Sequence, residues 1–487
     1  MNGNLTVNNI EVSGSKLPRL MLASPASGSG KTLITCGILK ALQNRGLKAV
    51  SFKCGPDYID PMFHREVIGI PSKNLDTFFT GREMTRYLFG RTATDADISI
   101  LEGVMGYYDG AGGNTTAASS YELADVTRTP VILIVNAKGM SLSVLPLIRG
   151  FMEYRDDSHI AGVILNQVSV GTYEKLKNKI EQELSIAALG YVPKCPELVI
   201  ESRHLGLVMP GEVEQIQEKL QKLSELLEQT LELDRLIACA SQAPGIKTEE
   251  PGCLELLKNN KCKPGIRIGI ARDEAFCFLY QDNLELLCEL GAELVYFSPL
   301  HDRKLPEDLR GLIFCGGYPE LYAEKLSQNG AVRRNIRESI AGGMPYLAEC
   351  GGFLYLQESM EDMEGAVWEM AGVCSGTAYR TNQLGRFGYI TLEANNDRQI
   401  LKPQSSIKGH EYHYYDCTEN GSDYHGMKPL GTRVWDCIKG GKSYAAGFPH
   451  LYYYSNPEFI SEFLEQCRCF HIIHSEKLSC QKRKNEK

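Results

Sequence analysis

Five short aliphatic runs punctuate the first half of the chain, at 17–23, 48–53, 98–101, 131–135 and 160–165. Each is bounded by turn residues, and helical patterns lie between them. Runs of this kind predict strands buried on both faces, hence a parallel sheet covered by helices. The first run passes through a Gly/Ser loop into a predicted helix over 31–44, and 211–237 again shows helical spacing. Prolines, glycines and charges then crowd 241–264, which reads as a linker. A new strand starts at Ile266, followed by a helix over 284–290 and strands over 293–297 and 312–315. The fold class expected is α/β throughout, with one domain over 17–240, a second over 265–458, and a basic, frayed tail over 459–487.

At 487 residues the chain is too long for one core. Its 43% hydrophobic and 23% charged residues are ordinary for a globular protein. A net charge of -8 gives no sign of a nucleic-acid or membrane-surface partner. Residues 1–16 lack a signal peptide's pattern, and no apolar run reaches the roughly 20 residues that span a bilayer. A cytoplasmic location is therefore expected. The 16 cysteines are scattered without a Cys-x-x-Cys pair, which favours reduced thiols over disulfides or a structural zinc site.

Pro25-Ala-Ser-Gly28-Ser29-Gly30-Lys31-Thr32 follows the first strand and opens a helix. Small residues let backbone N–H groups converge on phosphate oxygens, the lysine reaches the outer phosphates, and the hydroxyl serves Mg²⁺. Pro25 stands where the usual pattern has its first glycine. Carboxylates for such a site come from two strand ends, Gly55-Pro-Asp57-Tyr-Ile-Asp60 and Glu102-Gly-Val-Met-Gly-Tyr-Tyr-Asp109.

Pro345-Tyr-Leu-Ala-Glu349-Cys350-Gly351-Gly352 has the form of a nucleophile elbow, with strand, sharp turn and helix. A thiol at a helix N-terminus is expected to have a lowered pKa. His450 is the candidate base. The Gly351 amide, with one from the loop Gly316-Gly317-Tyr-Pro-Glu320, would form the oxyanion hole. Gly409-His410-Glu411-Tyr412-His413 is a third polar cluster. It lacks the spacing and third ligand of a zinc site.

Taken together, these strings resemble the cobyrinate a,c-diamide synthase family of corrinoid amidotransferases. The resemblance also rests on Lys53-Cys-Gly-Pro-Asp-Tyr-Ile-Asp-Pro61, Asn74-Leu-Asp76 and Ser202-Arg-His-Leu-Gly-Leu207, and runs from about 17 to 457. It implies an N-terminal P-loop domain of the dethiobiotin synthetase type and a C-terminal class I, flavodoxin-like glutamine amidotransferase domain. The implied reaction is amidation of the a and c acetate carboxylates of cobyrinate, a tetrapyrrole, through acyl phosphates, with ATP and glutamine consumed. Gly28, Ser29, Gly30, Lys31 and Thr32 would hold the nucleotide, and Asn166 its base. Thr32, Asp57 and Glu102 would hold Mg²⁺, with Asp57 and Asp109 acting on the carboxylate. Cys350 and His450 would form a dyad, because the position two after the histidine, usually Glu, is Tyr452. A homodimer is left open. The alternatives are a Ni-sirohydrochlorin a,c-diamide synthase and, in another class, a P-loop ATPase whose glutaminase-like domain only binds.

Overall fold

The computed structural model describes residues 14–198, 210–261 and 265–470. The 202–207 string and the basic stretch at 482–487 lie outside them. The chain divides into two compact units, 1–251 and 252–487.

The first unit is built on a seven-stranded, all-parallel sheet. Its strands are β1 (Arg19–Ala23), β2 (Ala49–Cys54), β3 (Ser72–Leu75), β4 (Ile98–Glu102), β5 (Val131–Asn136), β6 (Ile160–Asn166) and β7 (Ala187–Val192). Their spatial order is β3-β2-β4-β1-β5-β6-β7. The expected runs are all strands, and β1, β2 and β4 are buried along their whole length. Helix α1 (Lys31–Asn44) packs Ile34, Ile38 and Leu42 into a core shared with Leu20, Leu22, Leu223 and Leu227. The stretch after 241 belongs to this unit. Arg19, fully buried, donates to Pro244 O at 2.6 Å, and Ser15 bridges Ile246. The segment read as a linker also carries a helix, Gly252–Lys261, at the start of the second unit.

In the second unit the strands Ala292–Phe297, Ile266–Ala271, Gly311–Phe314, Tyr346–Glu349 and Tyr444–Gly447 lie side by side in parallel, with Lys439–Gly440 antiparallel at the edge. A five-stranded antiparallel sheet is added, ordered Val434–Cys437, Tyr424–Met427, Arg386–Ala394, Ser406–His413 and His450–Leu451. A smaller four-stranded sheet includes Ser359–Glu361 and Thr377–Arg380. Residues 457–470 form a helix rather than a frayed tail, because Phe459, Ile460, Phe463, Leu464 and Cys467 are buried. Among the described residues no cysteine is in a disulfide, and no helix is long and apolar enough to cross a membrane.

Candidate active sites

Four parallel strands, β1, β2, β4 and β6, bring residues at or near their C-terminal ends to the phosphate loop. Gly28 (φ +76°) and Gly30 (φ +88°) take left-handed backbone, and a Cβ on Gly30 would sit 2.3 Å from Asn166 Nδ2. That close approach has a purpose. Asn166, at the end of β6, donates to Ser29 O at 2.8 Å and accepts from Gln167 N at 2.9 Å. Each end of its amide has a partner within the protein, and these contacts brace the loop. Ser29 Oγ closes the loop by donating to Ala26 O at 2.7 Å.

The structure brings the expected carboxylates to this loop and adds a lysine. Thr32 Oγ1 donates to Glu102 Oε1 at 2.7 Å, and Lys53 Nζ donates to the same oxygen at 2.9 Å. Lys53 also pairs with Asp60 and lies 3.8 Å from Asp57. Burial works against the Lys53 charge, yet Glu102, Asp60 and Asp57 carry its ammonium well above the usual range. Burial would raise Asp60 as well, but Lys53 holds it below the ordinary carboxylate range. Glu102 is raised by burial, only partly offset by Lys53. Burial and then the Asp60 charge push Asp57 up to about 6. Lys31 is lowered, first by burial and then by Lys53, and it donates to Met105 O at 3.3 Å.

Glu102 Oε2 has no hydrogen-bond partner, although its side chain is fully buried. A hydroxyl and a carboxylate in contact, with one carboxylate oxygen unspent, fit a divalent cation that also binds a nucleotide. Asp57 is less available, since its Oδ1 accepts from Ile59 N at 2.8 Å. Asp109 is exposed, and its Oδ2 accepts from Gly106 N at 2.9 Å, which places it in a turn against Pro25. The Asn74-Leu-Asp76 string has scaffolding work. Asn74 donates to Gly55 O and Asp57 O, and Asp76 caps the helix Thr77–Ala93.

Sequence reasoning named Asp60 among the candidate carboxylates but missed Lys53 as a site residue, and also His64, whose Nδ1 meets Ser51 Oγ at 3.0 Å and whose Nε2 lies 3.8 Å from Glu102. The available signal was Lys53 itself. A lysine within a strand of a sheet covered on both faces must find a carboxylate partner.

The thiol of the second unit sits on a strained elbow. Cys350 has φ +46° and ψ -106°, between the strand Tyr346–Glu349 and a short helix, Gly351–Leu356. Gly352 is needed because a Cβ there would meet Phe314 O at 2.3 Å. A Cβ on Gly351 would sit 3.0 Å from Gly317 N, so the two expected oxyanion-hole glycines are neighbours. Cys350 N donates to Gly447 O at 2.8 Å, which aligns the elbow with the strand that leads to His450.

The electrostatics correct one expectation. The Cys350 thiol is raised rather than lowered, by burial and then by the Glu320 carboxylate. The helix behind it has six residues, too few to outweigh that burial. Burial also lowers His450, reinforced by His410, whose ring stacks on it at 4.9 Å. Tyr452 donates to Asp282 at 2.8 Å. A carboxyl does come near the histidine from elsewhere, with Glu349 Oε2 3.9 Å from His450 Nδ1. That is beyond hydrogen-bond reach, and burial pushes Glu349 up to about 8, so it stays neutral at pH 7. His410 meets Tyr280 OH at 3.1 Å, while His413 meets Tyr415 O at 2.6 Å. The two imidazoles have separate partners.

Residues 20–207 match the CobQ/CobB/MinD/ParA nucleotide binding domain family, and residues 267–436 match the CobB/CobQ-like glutamine amidotransferase domain family. The cobyrinate a,c-diamide synthase of Caldanaerobacter subterraneus subsp. tengcongensis is 40% identical over 92% of this chain and 98% of its own length. That of Clostridium acetobutylicum is 39% identical over 91% of this chain and 99% of its own. The Priestia megaterium protein of the same name is 36% identical over 92% and 97%.

Proposed function

From the premise that the chain belongs to the cobyrinate a,c-diamide synthase family, we propose that it converts the a and c acetate carboxylates of cobyrinate to amides, with ATP and glutamine consumed. In the first unit a substrate carboxylate attacks the γ-phosphorus of ATP, and ADP leaves. Ammonia then adds to the acyl carbon, loses a proton and expels phosphate. Lys31 neutralises the transferring phosphate. Thr32 and Glu102, with Asp57 behind them, would hold Mg²⁺, which when bound offsets the repulsion between two anions brought together. Asp109, on the rim, faces the tetrapyrrole.

In the second unit the Cys350 sulfur attacks the glutamine amide carbon, and its proton passes to neutral His450. His450 returns that proton to the leaving nitrogen, which departs as ammonia, and water hydrolyses the thioester to glutamate. The Gly317 and Gly351 amides stabilise the oxyanion. The observation that carries the proposal is Glu102. It is buried at a strand end, holds Thr32 and Lys53 beside the phosphate loop, and keeps one oxygen unspent.

The test is mass spectrometry of cobyrinate after incubation with enzyme, ATP and glutamine. Two successive carboxyl-to-amide changes are expected. Amidation of Ni-sirohydrochlorin but not cobyrinate would reassign the substrate. Glutamine hydrolysis without any ATP-dependent amidation would overturn the reading.

A further inference from the structure

The turn after β4 carries a methionine where glycine would be the easier residue. Met105 has φ +48°. Left-handed backbone is costly for a residue with a Cβ and free for glycine. Glycines do stand at 103 and 106, on either side of this position. Among the described residues the other apolar or thiol side chains on such backbone, Ala118, Cys350 and Ile438, are all buried. Packing rewards them. The Met105 side chain is 44% exposed and collects little of that reward.

Its neighbours hold the strain in place. Gly103 N donates to Leu22 O at 2.9 Å, Val104 N to Ser120 Oγ at 2.8 Å, and Tyr107 N to Ser24 O at 2.8 Å. A Cβ on Gly106 would sit 2.7 Å from Pro25 O, so the turn lies against the start of the phosphate loop. Met105 O itself accepts from Lys31 Nζ at 3.3 Å. Strain that the surroundings impose in this way gathers at ligand clamps.

The contact with Lys31 points to the ligand. In the proposed reaction, on which this inference rests, Lys31 neutralises the transferring phosphate. A residue bonded to that lysine stands beside the phosphoryl acceptor, since the base of the nucleotide lies at the far end of the triphosphate. The acceptor is a carboxylate arm of a tetrapyrrole, whose conjugated ring presents a broad apolar face. A thioether side chain is flexible and polarizable, and it adapts to such a face. We propose that the Met105 side chain packs against the macrocycle of the substrate and so holds a peripheral carboxylate towards the γ-phosphate. Met105 is then a specificity-determining residue for the acceptor.

The test uses the full chain and compares three variants. Met105→Gly removes the side chain and relieves the backbone, so it should melt no lower than the wild type. Calorimetric binding of a nonhydrolysable ATP analogue with Mg²⁺ should change by less than about twofold. The KM for cobyrinate should rise roughly 10- to 100-fold with kcat within about threefold. Met105→Leu keeps an apolar side chain of similar volume and should stay within about fivefold of the wild-type KM. Met105→Gln is similar in length but polar, and should lose as Met105→Gly does. It also decides the matter if the glycine variant does not fold. An unchanged KM in these variants, or a KM loss matched by an equal loss of nucleotide binding, would overturn the inference and leave the amidation reading in place. A wild-type enzyme that amidates no tetrapyrrole would remove the reading and the inference together.

Discussion

The two sites handle buried ionisable groups in opposite ways. Around the phosphate loop the groups are charged and compensate one another. Lys53, 5% exposed, answers Glu102, Asp60 and Asp57, and Lys31 stands close by. Around the elbow thiol burial pushes them towards their neutral forms. The thiol and the Glu349, Glu320 and Glu411 carboxyls are raised by burial, and His450 and His410 are lowered by it. On the proposed function, the difference follows the ligands. A nucleotide triphosphate and a carboxylate arrive charged and need a charged frame prepared in advance. A glutamine side-chain amide arrives neutral, and charge appears only while the carbon–nitrogen bond is broken.

The largest effect that can separate the sites is expected from Cys350→Ala. Glutamine-dependent synthesis should fall by roughly 10⁴-fold or more, while synthesis from free ammonia persists. Loss of both activities in a folded protein would show that the sites do not divide the work. His450→Ala should slow glutamine hydrolysis by about 10²–10⁴-fold, and an unchanged rate would remove His450 as the base.

On the charged side, Lys53→Met leaves buried carboxylates without their cation. Urea unfolding of the first unit should report a loss of about 3–5 kcal/mol. The neutral side predicts a pH signature. Glu349 has its folded pKa raised from 4.5 to about 8, so its neutral form favours the fold fully below about pH 4.5, and that stability drains away as pH rises towards 8. Glu349→Gln should flatten this window, and an identical pH slope in the variant would mean that Glu349 is ionised as built. The smallest effect is expected from Asp109→Asn. Nucleotide binding measured by calorimetry should be unchanged while amidation drops. Lost stability with full activity per folded molecule would reduce Asp109 to a turn former.

The first unit was legible where its strands are mostly apolar runs, at β1, β2, β4, β5 and β6, and in the contiguous string of the phosphate loop, whereas β3, with the sequence Ser-Lys-Asn-Leu, and β7 were not read as strands. The second unit was legible at its parallel strands and its elbow, but its antiparallel sheets were not read. In Arg386–Ala394 exposed and buried positions interleave around Gly388, and no contiguous apolar run marks the strand. Cys350 and His450 could be named because glycines and aromatics frame them. Their protonation could not, since it depends on burial contributed by distant segments, among them Glu320, His410 and Glu411. The 457–470 helix was mistaken for tail because its basic successor at 482–487 dominated the composition.

The most direct measurement follows nitrogen. Wild-type enzyme and Cys350→Ala are each given cobyrinate, ATP, amide-¹⁵N glutamine and an excess of unlabelled ammonia. The wild-type product should carry ¹⁵N, and the Cys350→Ala product only unlabelled nitrogen. A wild-type product without label, or a labelled product from Cys350→Ala, would contradict the division between a neutral site that makes ammonia and a charged site that consumes it.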